Sequence, residues 1–224
     1  MRILCVADQI DPLVYSASIK DRFGDVDVVL SAGDLPMDYL GFIVTTLNKP
    51  VFFIFGNHNL KELSYFQPSF DDRMTNRGYD FENQATSSGA VYLGSKVKKE
   101  GNLLFAGLGG SRRYNNGRNQ FTDFQMRLQI LALVPQLIIN RLLHGRFLDI
   151  LLTHSPPAGI HDKEDPCHRG FSAFLWFMKM FKPRYLIHGH IHLYDLNDVR
   201  TTQYDQTLVI NAYSHYLINT DAPA

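Results

Sequence analysis

Short apolar runs that stop abruptly in polar clusters set the rhythm of this chain. Ile3 to Ala7 runs into Asp8-Gln9-Ile10-Asp11-Pro12, Val26 to Leu30 into Ser31-Ala32-Gly33-Asp34, and Val51 to Phe55 into Gly56-Asn57-His58-Asn59. A continuous apolar run of this length suits a central strand covered on both faces. Between them, residues 13 to 24 read as a helix stopped by Gly24, and residues 36 to 47 as a helix with Pro36 in its first turn. Two later runs repeat the pattern: Leu148 to Leu152 leads into Thr153-His154-Ser155-Pro156-Pro157, and Tyr185 to Ile187 into His188-Gly189-His190-Ile191-His192. Strand, polar cluster and helix in alternation predict an α/β fold with parallel strands, whose ligands gather at the carboxyl ends. The polar clusters then converge in space.

Elsewhere the pattern is weaker. Residues 59 to 89 show no sustained period and read as a long loop with one short helix. Residues 91 to 93, 96 to 99 and 103 to 106 read as short strands separated by the turn-forming pairs Gly94-Ser95 and Gly101-Asn102. Thr122-Asp123-Phe124-Gln125 is a capping box, with Phe121 placed to staple onto Met126. Phe124, Leu128 and Leu131 recur at helical spacing as a core stripe, and Pro135 is expected to kink or restart the helix before Leu137 to Leu143. Phe171, Phe174, Leu175, Met178 and Phe181 mark the core face of a further helix. Residues 194 to 197, 199 to 203 and 207 to 212 resemble a closing antiparallel ladder.

Composition narrows the class. At 224 residues and 45% hydrophobic content the chain can bury a substantial core, and nothing marks a linker, so one domain over residues 1–224 is expected. Lys plus Arg equals Asp plus Glu at 22 each, which lends no support to nucleic-acid binding. Cys5 and Cys167 read as free thiols. The first apolar run meets an acid at Asp8, too early for a signal peptide or a membrane span, and a cytoplasmic protein is the expectation.

Three histidines at alternate positions, His188, His190 and His192, are the strongest chemical signal. Imidazoles gathered at a strand end hold a transition ion; a polar surface turn is the simpler alternative. The other strand-end clusters favour the metal. His161, Cys167 and His168 lie in a charged loop without a second ligand at metal-site spacing and read as structural or solvent-facing. Leu108-Gly109-Gly110-Ser111-Arg112-Arg113-Tyr114 can bring amides and two guanidinium groups toward a phosphate, but it lacks the Gly-Lys-Ser/Thr ending of a P-loop, and a flexible solvated turn is the simpler reading.

Taken in order, Asp8, Gly33-Asp34, Gly56-Asn57-His58, His154 and Gly189-His190-Ile191-His192 resemble the calcineurin-like metallophosphoesterase family over residues 8 to 192. The family motifs read Asp-x-His, Gly-Asp, Gly-Asn-His-Asp/Glu, a lone His, and Gly-His-x-His. The resemblance implies a four-layer α/β/β/α sandwich of two mixed β-sheets flanked by helices, with a dinuclear centre at one edge. It places Asp8 and His192 on a first metal, Asn57, His154 and His190 on a second, and Asp34 between them, with His188 left structural. Mixed carboxylate, amide and imidazole donors suit manganese first, with iron or zinc as alternatives. Hydrolysis of a phosphomonoester or phosphodiester by a metal-activated hydroxide follows from the resemblance, with His58 as general acid.

Two positions depart from the family. Asp8-Gln9-Ile10 lacks the imidazole of Asp-x-His, so the first metal position is expected to be weak, with one or two ions per chain. Strand alternation points Gln9 away, and Asp11 reaches the ion only if its loop folds back. Asn59 replaces the acid after Gly-Asn-His. The alternative function is a protein-binding scaffold that has lost catalysis, a direction in which Ile10 is one step. A small phosphate ester is the expected substrate, read by residues 59 to 89, 108 to 121 and 155 to 170, where Arg112, Arg113, His168 and Arg169 are the candidate contacts.

Overall fold

The computed structural model describes residues 1–66, 89–195 and 197–221. Most of the irregular stretch 59 to 89 lies outside them.

Side-chain alternation decides the architecture. In β1 (Arg2–Ala7), Ile3, Cys5 and Ala7 turn one way and Leu4 and Val6 the other, as the two-residue period of a strand requires. The first set joins Leu30, Phe52, Phe105, Ile150 and Ile187 in a core between two sheets. The second packs with Val29, Leu40, Ile43 and Phe53 beneath helices. On the far side, Leu104, Ala106, Leu151 and Leu186 meet Met126, Ile130, Phe174 and Phe177 of another helical layer. Both faces of both sheets are covered, and the result is the four-layer α/β/β/α sandwich. Each fully buried Leu, Ile or Phe contributes about 1.5–3 kcal/mol.

One sheet has the order β13-β1-β2-β3-β4, with β2 (Val28–Ser31), β3 (Val51–Phe53), β4 (Val91–Tyr92) and β13 (Ser214–Asn219). Strands β1 to β4 are parallel, and β13 runs antiparallel to β1 from Arg2↔Asn219 to Ala7↔Ser214. The other sheet has the order β11-β12-β10-β9-β6-β5, built from β5 (Lys96–Glu100), β6 (Leu103–Leu108), β9 (Ile150–Thr153), β10 (Tyr185–His188), β11 (Thr201–Tyr204) and β12 (Thr207–Asn211). It is parallel in the middle and antiparallel at its edges. Helices α1 (Ile19–Phe23) and α2 (Met37–Leu47) pack on the first sheet, followed by the short α3 (Leu63–Phe66). Helices α4 (Asp123–His144) and α5 (Ser172–Phe181) pack on the second. β7 (Ser111–Arg112) and β8 (Gln120–Phe121) form a separate two-stranded ribbon.

Several local expectations are corrected. The helix expected over residues 13 to 24 is reduced to α1, because Asp11 Oδ1 takes the Leu13 amide at 2.7 Å and the Asp11 carbonyl takes those of Val14 and Tyr15. Residues 194 and 195 are loop, where the Asp195 carboxylate accepts the Asn197 amide at 2.8 Å. The capping box forms as read, but α4 continues through Pro135. The carbonyl that loses its donor there belongs to exposed Leu131, where water can take the bond. Phe124, Leu128 and Leu131 are exposed; the face on the sheet is Met126, Ile130, Leu133 and Leu137. Strand β13 was not expected, since Ser214-His215-Tyr216-Leu217 is an only partly buried stretch without alternation. In the Arg112-Arg113 stretch, Arg112 Nη1 donates to the Gly170 carbonyl at 3.1 Å and Arg113 Nη2 to Gln125 Oε1 at 3.2 Å.

Candidate metal centre

The polar clusters meet along one edge of the sandwich. Asp8 follows β1, Asp34 follows β2, Asn57 and His58 follow β3, His154 follows β9, and His190 follows β10. Three of these junctions turn sharply, with φ of 64° at Asp8, 59° at Asp34 and 69° at His190. Left-handed backbone costs such residues roughly 1–2 kcal/mol each, a strain that surrounding structure sustains at functional sites. Glycine supplies the room around them. A Cβ on Gly56 would collide with Asp34 Oδ1 and His154 Cε1, and one on Gly189 with Asp8 Oδ2.

Among the described residues, Asp8, Asp34 and His154 bring ligand atoms within 4.8 Å of one another. His154 is fully buried, and its Nδ1 donates to the Ala32 carbonyl at 2.8 Å. That bond commits Nδ1 as a donor and turns Nε2 inward, toward Asp34 Oδ2 at 3.3 Å and Asn57 Oδ1 at 3.1 Å, where it can carry a proton or, once that proton is lost, ligate a metal. The Asn57 carboxamide nitrogen donates to the Tyr114 hydroxyl at 3.2 Å, which turns the carbonyl oxygen inward. His190 donates Nε2 to the Cys167 carbonyl at 2.8 Å, keeping its other nitrogen as a base, and its ring lies 4.9 Å from that of His154. A ligand histidine anchored through its other nitrogen to a carbonyl is the usual arrangement at metal sites.

Charge in the cluster is unbalanced. Burial pushes the Asp8 carboxyl up to about 7, partly offset by His154 and by the His190 amide. Burial also opposes ionisation of Asp34, but the His154 charge and hydrogen bond and the His58 amide outweigh it and hold this acid well below the usual range. For His154, burial disfavours the proton, yet Asp34, Asp8 and the Ala32 carbonyl raise its pKa to about 9. Without a cation, protons must hold these oxygens and nitrogens together. A divalent ion does so without protons, and the donor set of two carboxylates, one carboxamide and two imidazoles fits a transition ion.

The remaining predicted positions do not join this cluster equally. Ile10 is 42% exposed and offers no donor. Gln9 accepts a hydrogen bond from Tyr213, and Asp11 is turned to β13, where Ser214 and His215 donate to its Oδ2. Neither replaces the missing imidazole. His192 is half-buried, with Nδ1 2.6 Å from the Tyr194 hydroxyl and its ring 4.9 Å from that of Tyr213. The exposed His58 gives its amide to Asp34 Oδ1 at 2.8 Å, and Asn59 donates to the Asp34 carbonyl at 2.7 Å, which a carboxylate cannot do. His188 is structural in geometry: it donates Nδ1 to the Gly189 carbonyl, accepts His161 Nδ1 at 2.9 Å, and Thr202 closes the chain on His161 Nε2 at 2.8 Å. Burial keeps this pair neutral, at about 3 for His188 and about 4 for His161. Tyr114, the Ala32 and Cys167 carbonyls and Asp11's partners on β13 left no periodic signal in the sequence.

The sequence model described as calcineurin-like phosphoesterase matches residues 1–194. No curated protein matches the chain. One crystal structure superposes with a TM-score of 0.67 at 14% identity, covering 97% of this chain and 94% of its own. The crystal structure of TT1561 of Thermus thermophilus superposes at 0.60 and 11% identity, over 95% and 89% of the two chains. At these identities both bear on the fold alone. Vps29 of Entamoeba histolytica, complexed with zinc, reaches a TM-score of only 0.40 at 14% identity, over 96% of this chain and 74% of its own, and carries no argument.

Proposed function

Because the chain belongs to the calcineurin-like phosphoesterase family, we propose that it is a metal-dependent phosphoesterase with one well-furnished metal position and a second, weaker one. The observation that carries this reading is His154 Nε2, turned by the Ala32 carbonyl onto two oxygens, Asp34 Oδ2 and Asn57 Oδ1, in a buried site. Protons fill the space between these atoms in the metal-free site, and a divalent cation can take their place.

Asp34, Asn57, His154 and His190 would hold the tighter ion, with Asp8 beside them. Manganese suits this mixture first, and iron or zinc also fit. Such an ion, when bound, polarises a phosphoryl oxygen and lowers the pKa of a coordinated water. The chain's own residues prepare that chemistry. Tyr114 orients Asn57, the Ala32 and Cys167 carbonyls set the two imidazole tautomers, and the Asp8 and Asp34 carboxylates supply the opposing charge. His58, exposed at the rim with its amide anchored on Asp34, is free to protonate the leaving oxygen of a phosphate ester. A second ion would have Asp8, Asp34 and His192 but no imidazole at position 10, so it is the one we expect to be loose. The expected substrate is a small phosphate ester, and free Cys5 and Cys167 suit a reducing, cytoplasmic setting.

Hydrolysis of p-nitrophenyl phosphate and bis-p-nitrophenyl phosphate with manganese, iron or zinc tests the reading. Metal-dependent turnover is expected, with a loss of roughly 100-fold or more in His58→Ala and Asp34→Ala. No turnover of either ester with any of the three ions would sink it and favour a protein-binding scaffold.

A further inference from the structure

The turn that carries His190 and His192 is clasped by a residue outside the motifs. Asn211, fully buried at the end of β12, donates Nδ2 to the Ile191 carbonyl at 2.8 Å and accepts the Tyr213 amide on Oδ1 at 2.9 Å. Tyr213 is thereby seated beside the metal centre: it bridges to Ala7, the residue before Asp8, and its hydroxyl donates to Gln9. Its ring lies 4.9 Å from that of His192 at an interplanar angle of 31°. Tyr194 completes the group. Its hydroxyl is 2.6 Å from His192 Nδ1, and its ring meets those of His192 and Tyr213 at 81° and 71°. Neither neighbour stacks on Tyr194, and at 80% exposure it is the most exposed aromatic side chain among the described residues.

The hydroxyl is a tether. With His192 Nε2 given to an ion, Nδ1 carries the proton and the Tyr194 hydroxyl accepts it. The ring is held next to a candidate metal ligand while its flat faces stay open to water. An aromatic face presented in this way is a surface for stacking another flat ring. We propose that Tyr194 is the stacking platform for a planar aromatic group carried by the phosphate ester, an aryl ring or a nucleobase. The proposal rests on the phosphoesterase reading of the same site and names its substrate class.

Position and polar inventory choose this occupant. An ester with its phosphoryl group at the metal centre lays its organic part along the rim, and Tyr194 stands on the rim at His192. The hydroxyls of Tyr194 and Tyr213 and both ends of the Asn211 carboxamide already have partners. Next to Gln9, Ile10 likewise offers no polar group. A sugar or polyol would find no free partner for its hydroxyls among these groups. A flat apolar ring needs none, and it covers aromatic surface that is otherwise wet.

Calorimetric titration of phosphonates, whose carbon–phosphorus bond resists hydrolysis, into the manganese-loaded full chain tests the proposal. Phenylphosphonate is expected to bind roughly 5- to 10-fold tighter than methylphosphonate. It should also bind tighter than cyclohexylphosphonate, which has its size but not its flatness. Tyr194→Ala should abolish the advantage of the phenyl group, and Tyr194→Phe, which keeps the ring and loses the hydroxyl, should preserve it. A like gain of adenosine methylenephosphonate over ribose methylenephosphonate identifies the aromatic group as a nucleobase; without that gain it is a simple aryl ring. Phenylphosphonate no tighter than its two comparators, an advantage that survives in Tyr194→Ala, or one that disappears in Tyr194→Phe overturns the platform and leaves the phosphoesterase reading standing. Failure of every phosphonate to bind overturns both.

Discussion

The backbone amide of His190 donates to both carboxylate oxygens of Asp8, at 3.0 and 2.8 Å, across 182 positions of sequence. The bond ties the end of β1 in one sheet to the end of β10 in the other. The candidate site thus exists only when the two sheets are docked, and it holds an acid that burial makes reluctant to ionise.

Replacing that acid should separate stability from function. Asp8→Asn keeps an acceptor oxygen for the His190 amide and removes a buried charge. At pH 8 the metal-free variant should melt several degrees above wild type, at about 2–4 °C per kcal/mol for a chain of this size. Its manganese affinity should fall at least roughly 10-fold. Calorimetry with and without manganese checks both, and a lower melting point in the metal-free variant would contradict the buried-charge account.

The pH dependence has a defined sign. Asp8 has a folded pKa of about 7 against an ordinary 3.8, so between those values the folded state holds a proton that the unfolded chain has released. Stability of the metal-free protein should fall as pH rises through that window. His154 adds to the trend: its raised folded pKa gives stability below 6.5 that is lost as pH rises through about 9. Metal binding must displace both protons. Titration calorimetry in buffers of different ionisation enthalpy should count about two protons released per ion at pH 6 and about one at pH 8. Equal release at both values would refute the assignment.

Ile10→His should tighten the weaker ion. The side chain is 42% exposed, so stability should change by no more than about 0.5 kcal/mol. Metal analysis after dialysis against manganese should move from one retained ion per chain toward two. Unchanged stoichiometry would mean that another group already serves this position.

Tyr114→Phe should act through Asn57 alone. Losing the 3.2 Å acceptor frees the carboxamide to rotate, and manganese affinity should drop roughly 10- to 100-fold. The melting point of the metal-free protein should barely move. An affinity equal to that of wild type would show that Asn57 is oriented by something else.

The strands that carry the candidate ligands were legible because each is buried on both faces and reads as an apolar run cut off by polar residues. β13 was not, because an edge strand owes its place to β1 rather than to its own alternation. The stripe of α4 was misassigned for a related reason. Periodicity reports an apolar face, and α4 has more than one; which one meets the sheet depends on contacts such as Asp123 with Ser172 Oγ at 2.7 Å and the Ala173 amide at 3.0 Å.

The residue order by itself determined the strand–cluster–helix rhythm, the α/β class and the set of polar residues at the strand ends, since all of these are local. Only the tertiary structure decided how those residues are equipped: which nitrogen of His154 turns inward, what orients Asn57, and that Gln9 and Asp11 turn away toward the β13 end of the chain, 204 positions on. Hydrogen-bond partners at such separations are selected by the packing of two sheets, and no short window of sequence contains both.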